Sequence, residues 1–250
     1  MIAFSVDSRV FTKFPALSVA TLAVSELDRA ASSLSARDLD RSWSNASSEL
    51  RRRGITAENV STTETILQWN EVYDAWRVPS SPCAPGLDGL VREALTTGRR
   101  VAQVAIASLC CAIAVRHLAP IGGCDAAALP HNAVALRPAH PDSDLFVPLA
   151  ARTTDVPLHP DAIVYAAGRV ILRWSFNALE SRQTSIGRDT TRAVFFSEAL
   201  SPAQTSAAAD ALAELRDTLA ARGARTGETR IVDVRTPDVL LWFEDEVEST

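Results

Sequence analysis

The segment VAQVAIASLCCAIAV, residues 101–115, constrains this chain more than any other. It carries no charged residue. A helix that is apolar on every side has no face to show to water, so other elements must surround it. At 15 residues it is too short to cross a bilayer, which takes about 20. Small residues (Ala102, Ala105, Ala107, Ser108, Ala112, Ala114) let neighbouring elements come close. The chain then runs into RHLAPIGGCD, where Pro120 stops the helix. Gly122 and Gly123 follow and carry no Cβ, so the backbone there can approach another group closely.

The rest of the chain must build the cage around that helix. FPALSVATLAV (residues 14–24) is apolar and β-branched and reads as a buried strand. Residues 25–54 read as helix. Ser61 to Trp76 reads as another, with Ser61 and Glu64 spaced as a capping box. RVPSSPCAPG is a loop. LDGLVREALTTG places Leu87, Leu90, Val91 and Leu95 on one helix face, with Gly98 behind it. From Ala133 to Arg173 the pattern turns to strands: AVALRPA, LFVPLA and AIVYAAGRVILRW. TRAVFFSEAL is one more strand. SPAQTSAAADALAELRDTLAARG is an amphipathic helix ending at Gly223, and TRIVDVRTPDVLLWFEDEVE holds two short strands, or one strand and an acidic tail. Helices and strands mix without regular βαβ alternation, so the expected class is α+β. There is no internal repeat and no long linker, and residues 1–250 are expected to form one domain.

Charge narrows the partners. The net charge is −5, which argues against a broad nucleic-acid footprint. Arg51, Arg52 and Arg53 make the only basic triplet. Lys13 is the only lysine and sits in a polar stretch, so Schiff-base chemistry is not expected. Cys83, Cys110, Cys111 and Cys124 form no CxxC pair. With no signal peptide or membrane-length apolar run, the expectation is a cytoplasmic protein with reduced thiols, no membrane partner and an unused sequon at Asn45. Cys110 and Cys111 read as small hydrophobes within the helix. His131, His140 and His159 stand beside Pro or Asp in loops without ligand spacing, so no metal and no cofactor is expected.

Several groups are candidates for chemistry. His117, at the end of the apolar helix, suits a general base near neutral pH, and equally a helix C-cap. Glu71 and Asp88 are candidate acid–base carboxylates. Arg92 stands four residues after Asp88, where it binds a ligand carboxylate or simply pairs with Asp88. Glu198 is the carboxylate inside TRAVFFSEAL. Trp69, Trp76, Trp174 and Phe176 are large apolar groups whose default use is core packing.

Taken in order, WNEVYDAWRVPSSPCAPGLDGLVREAL, VAQVAIASLCCAIAVRHLAPIGGCD, NAVALRPA, FVPL and AIVYAAGRVILRWSFNALESRQTSIGRDTTRAVFFSEAL resemble the B3/B4 domain of the phenylalanyl-tRNA synthetase β subunit in its stand-alone form. The resemblance covers residues 14–222 and leaves a strand-rich extension, 223–250, unmatched. It implies an α+β fold with a mixed sheet, a buried central helix and flanking helices. It also implies a pocket that accepts a misattached tyrosine and hydrolyses it from tRNA. The substrate-binding positions that follow are Arg92, Ser108, Cys111, Gly122, Gly123, Trp174 and Thr184, with Thr190, Thr191, Glu180 and Arg182 near them.

The departures from the family are informative. Ser108 and Cys111 stand where its central helix has an Asp and an Asn. Gly122 stands for a histidine, and Asp161-Ala162 replaces a Gly-Glu pair. The family's late acidic residue aligns at Glu198, or one place off at Ser197. Three expectations follow. The first is an aminoacyl-tRNA deacylase that binds an aromatic aminoacyl group and the tRNA 3′ end. The second is an enzyme of specialised metabolism acting on a free aromatic amino acid or amine, such as a Pictet–Spengler-type β-carboline-forming cyclase, with a carboxylate acid–base. The third is a non-catalytic interaction module. A homodimer contact through Thr229–Val247 is a further expectation.

Overall fold

The computed structural model describes residues 1–75, 86–97, 104–149, 159 and 161–244. Cys83, Trp76, Gly98 and most of the RVPSSPCAPG loop therefore lie outside the described residues.

The chain opens with β1 (Ile2–Val6) and a short helix α1 (Ser8–Lys13), capped by the Asp7 carboxylate on the Arg9 N–H. Then comes β2 (Ser18–Ser25), buried along its whole length. The helical reading of residues 25–54 resolves into two helices, α2 (Leu27–Ser33) and α3 (Ala36–Arg52). The break falls at Leu34, which is extended, and Ser35 and Asp38 then close a capping box that restarts the chain as helix. The box expected at Ser61 and Glu64 does not form. Residues Val60–Thr62 make a 3-10 turn, and α4 (Glu64–Ala75) begins after it. The Ser61 hydroxyl is held instead by Arg92 and Asp88.

Next come α5 (Leu87–Thr96) and α6 (Ala105–His117), the latter being the apolar segment. α6 packs against α3, α5 and α7 (Pro202–Ala220). Its end is a Schellman-type turn. Leu118 is left-handed at φ 52°, and the Ala119 N–H reaches back to the Ala114 carbonyl at 3.1 Å. Pro120 then forbids any continuation.

The remaining strands are β3 (Gly122–Asp125), β4 (Ala133–Pro138), β5 (Ile163–Ala167), β6 (Val170–Trp174), β7 (Leu179–Glu180), β8 (Arg192–Ala199), β9 (Arg225–Thr226), β10 (Arg230–Val232) and β11 (Asp238–Leu241). They form two sheets. One runs β11-β1-β4-β5-β6-β7 and is mixed, since β1 and β4 are parallel. The other runs β10-β2-β8-β3, with β9 also on β2, and is antiparallel. LFVPL adds no ladder of its own; it meets the first sheet through isolated bridges at Leu145 and Pro148, the Leu149 N–H on the Glu180 carbonyl and the Phe146 ring on Trp174.

The sheets stack face to face. Phe196 of β8 meets Tyr165 of β5 with ring centroids 4.0 Å apart, and Phe4 of β1 sits 6.2 Å from Phe196. Strand alternation sorts β8 cleanly. Val194 and Phe196 enter the core between the sheets, while Ala193, Phe195 and Ala199 pack with α6 and α7 on the other side. A third apolar cluster, with Phe146, Val164, Ile171 and Trp174, covers the far face of the first sheet. The class is α+β, with mixed strands and the buried helix that the apolar segment demands.

The tail is part of the sheets. β10 pairs with β2, and β11 pairs with β1 as the outer strand of the first sheet, leaving Leu240 and Trp242 exposed.

Candidate active site

Glu198 lies on the core-facing side of β8 and is 1% exposed, whereas Arg192, at the start of the same face, is only partly buried over the Phe243 ring. Glu198 follows Phe196 by two, so its side chain joins Tyr165 and Phe196 between the sheets. Burial raises its carboxyl to about 7, although Tyr165, Arg173 and Asn177 all pull the other way. A carboxyl placed there holds and releases a proton near neutrality.

Three neighbours come from one hairpin and the turn after it. Tyr165 is on β5, opposite Arg173 on β6. That pairing depends on a bulge, because the register shifts between Tyr165 and Ala166. Without the shift Tyr165 would face Leu172. A bulge turns two successive residues toward one side. Leu172 thus joins the inter-sheet core, and Arg173 reaches the Gly123 carbonyl (3.4 Å) and the Glu180 carboxylate (3.4 Å). Trp174 turns to the opposite face and packs on Phe146.

The third neighbour is Asn177, in the turn from β6 to β7. Ser175 and Phe176 are both left-handed there, at φ 50° and 56°. Non-glycine residues adopt that region at a cost of roughly 1 kcal/mol each. Burial of Phe176 offsets the cost, since its ring packs edge-on against Trp69 (5.6 Å) and Phe14 (5.5 Å). The result places the Asn177 amide on Glu198, to which its Nδ2 donates.

Gly122 and Gly123 now find their use. A Cβ on Gly122 would lie 1.9 Å from the Asn177 Oδ1, and one on Gly123 would lie 2.8 Å from the Phe195 ring. The glycines make room for the chain's own side chains, Asn177 above all.

Several buried polar atoms here have no hydrogen-bond partner among the described residues: Glu198 Oε1, Asn177 Oδ1, the Tyr165 hydroxyl and the Trp69 indole N–H. The Tyr165 hydroxyl lies close enough to favour the ionised Glu198, but not at hydrogen-bonding geometry. Tyr73 of α4, stacked on Trp69, completes the group. Burial first, and the charge of Glu198 second, raise both tyrosines and keep them protonated. Polar atoms left unpaired in a native core mark a place where a ligand or water belongs.

The other candidates lie elsewhere. Asp88 and Arg92 pair at 3.2 Å, and Arg92 also donates to the Ala57 carbonyl and the Ser61 hydroxyl, so they tie the 3-10 turn to α5. Glu71 is exposed on α4. His117 meets Glu214 of α7 at 2.7 Å, beside Arg116 on the same carboxylate. Burial would raise Glu214, but the bonds and charges of His117 and Arg116 bring it below its ordinary value. His117 borders an open cleft of about 650 Å³ with Asn45, Glu49, Arg52, Arg53 and Asp210, none of which belongs to the Glu198 group. Ser108 accepts from the Trp43 indole at 3.2 Å and holds α3 to α6. Cys111 packs at the border of the inter-sheet core. Thr184 is buried; its carbonyl accepts from the Asp125 N–H, and its hydroxyl has no partner among the described residues. Thr190 donates to Asp125 at 2.7 Å, and Arg182 donates to the Leu149 carbonyl. Among the named candidates, then, Glu198, Gly122, Gly123, Trp69 and Phe176 come together, with Glu180 behind Arg173.

Arg173, Tyr165 and Asn177 are the site residues that sequence reasoning passed over. Tyr165 and Arg173 had a signal, as polar groups inside the apolar run AIVYAAGRVILRW. Asn177 had none.

Among the described residues no cluster of three or more His, Cys, Asp or Glu could hold a metal ion, and no helix is long and apolar enough to cross a membrane. Cys110, Cys111 and Cys124 take part in no disulfide among the described residues.

Fold and site together define an α+β protein with a carboxyl-centred polar site buried between two sheets. No family model and no curated protein matches the sequence. Among solved structures, the chain is similar to an N-terminal fragment of the phenylalanyl-tRNA synthetase β-subunit from Pyrococcus horikoshii, with a TM-score of 0.42 and 12% identity over 90% of this chain and 50% of that one. The chain thus spans about half the length of the fragment, and the likeness is one of distant fold.

Proposed function

We propose that the chain binds a small aromatic molecule bearing an amino group beside Glu198 and acts on it by proton transfer, with Glu198 as general acid–base. One observation carries this reading: a buried carboxyl, poised near neutrality, whose Oε1 has no partner among the described residues. An amine offers the N–H donors that this oxygen lacks. Around it stand Tyr73, Trp69, Phe176, Tyr165 and Phe196, a surrounding suited to an aromatic ligand. In this reading Asn177 fixes the carboxyl and Tyr165 favours its ionised form. The reading favours a free small molecule over tRNA. Arg116 is engaged by Glu214, Arg53 donates to the Arg116 carbonyl, and the exposed Arg52 pairs with Glu49, so carboxylates offset part of the charge of this basic patch.

The test is calorimetric titration of wild type and Glu198→Gln with tyramine, tryptamine, phenethylamine and the matching amino acids. Binding to wild type that the variant loses supports the reading. No binding to folded wild type, or equal binding to both proteins, overturns it. Loss of the ester from tyrosine mischarged on the phenylalanine tRNA would move the substrate from a free molecule to an aminoacyl ester.

A further inference from the structure

We propose that the ligand of this site is a monocation, a primary aromatic amine or an amino acid whose carboxyl is blocked as an ester, and that a free amino acid is rejected. The inference rests on the reading of Glu198 as the amine-binding group, and it follows from charge accounting around that residue.

Among the described residues the cation whose charge acts on Glu198, Tyr73 and Tyr165 is Arg173, and it is committed. Its guanidinium faces Glu180 at 3.4 Å on the neighbouring strand and the Gly123 carbonyl at 3.4 Å. The Arg173–Glu180 pair is therefore neutral as a unit. The tyrosines and cysteines around them carry no charge at neutral pH. Burial raises Tyr73, Tyr165, Cys110 and Cys124, which stay protonated. Asp125, near Cys124, is spent on the Thr190 hydroxyl (2.7 Å) and the Ala127 N–H (2.9 Å). What remains is the Glu198 carboxyl, which, like the hydrogen-bonded Asp125, has no cation of its own among the described residues.

The unpartnered atoms point the same way. Glu198 Oε1 and Asn177 Oδ1 are acceptors, and the Tyr165 hydroxyl can accept as well. A –NH3⁺ group is donor-only and matches such a set. Among the described residues a carboxylate finds a neutral donor in the Trp69 indole N–H, and the guanidinium nearby already faces Glu180. An ionised group taken out of water without a cation or a full set of donors carries a desolvation cost that exceeds its gain. A free amino acid brings such a group along with its ammonium. An amine or an ester does not.

The experiment compares tyramine, tyrosine methyl ester and tyrosine, and then tryptamine, tryptophan methyl ester and tryptophan, by calorimetry at pH 8. The proteins are wild type, Glu198→Gln and Glu180→Gln, each checked for folding by its thermal transition. In wild type the amine and the ester bind tighter than the free amino acid by on the order of tenfold or more. Glu198→Gln erases that preference. Glu180→Gln frees the Arg173 guanidinium and shifts the preference toward the free amino acid, which a purely structural role for Glu180 would not do. A free amino acid that binds wild type as tightly as its amine overturns this inference and leaves the reading of Glu198 standing. A wild-type protein that binds no member of either series overturns both.

Discussion

The amide of Asn177 occupies the place where residue 122 would carry its Cβ. Gly122 leaves that space empty, and Asn177 fills it while donating to Glu198. A backbone turn, a glycine and a buried carboxylate on three separate strands and loops thus act as one unit.

Gly122→Ala tests this unit directly. The new methyl meets Asn177 Oδ1 at 1.9 Å and the Phe196 ring at 2.5 Å, so the amide must leave. Overpacking of this kind costs about 1–3 kcal/mol. Loss of the hydrogen bond from Asn177 also removes a group that favours ionised Glu198, so its pKa rises further. Carboxyl carbon NMR of labelled glutamate, followed across pH in both proteins, reads this shift. An unchanged Glu198 titration would show that Asn177 does not tune it.

Stability should fall with rising pH because of Glu198. Its carboxyl titrates near 4.5 in the unfolded chain and near 7 in the fold. Between those values the folded chain keeps a proton that the unfolded chain has released. Folding stability therefore falls as pH rises from 4.5 to 7, by about 3 kcal/mol from this group, and the penalty is complete above 7. Glu198→Gln lacks the titration. Urea denaturation should show the variant equal to wild type near pH 4.5 and more stable than wild type at pH 8. A constant difference across that range would place the carboxyl's proton elsewhere.

How much of this was legible in the sequence follows from the range of each cause. The apolar helix α6, its stop at Pro120 and the strand TRAVFFSEAL rest on local patterns, and each lies where periodicity puts it. Glu198 was visible as the lone carboxylate in a strand with no solvent face. Trp174 was expected beside the ligand, and the bulge between β5 and β6, which no composition announces, turns it away and brings Arg173 to that side. Ser61 resembled a helix cap, but long-range bonds to Asp88 and Arg92 claimed its hydroxyl. Asn177 lies in a turn whose two left-handed residues, Ser175 and Phe176, are neither Gly nor Asn. The tertiary burial of Phe176 offsets the strain of that turn, and a local reading has no access to it.

Ser108 and His117 should behave as structural residues. Ser108→Ala leaves the Trp43 indole N–H without its acceptor in a buried place, at a cost of about 1–3 kcal/mol. His117→Ala removes one of two partners from a half-buried Glu214 and should cost about 1 kcal/mol or less, since Arg116 remains. Neither change should alter ligand binding at Glu198. Thermal unfolding together with the calorimetric titration checks both, and a binding loss larger than the stability loss explains would bring the residue into the site.

Phe176→Ala separates the turn from the carboxyl it serves. The ring packs against Trp69 and Phe14, and its removal from a fully buried position costs about 3–5 kcal/mol. The left-handed backbone at 175 and 176 then loses the burial that holds it, and the turn relaxes toward ordinary angles. Asn177, next in the chain, withdraws from Glu198. The expected outcome is a double signature: lower stability, and a Glu198 titration displaced upward as in Gly122→Ala. Phe176→Leu, which keeps most of the buried volume, should retain more of the stability and hold Asn177 in place. Equal Glu198 titrations in wild type, Phe176→Ala and Phe176→Leu would mean that Asn177 stays on the carboxyl without the ring, and that the strained turn is held by its backbone bonds from Phe176 to Ile163 and from Ala178 to Ser175 instead.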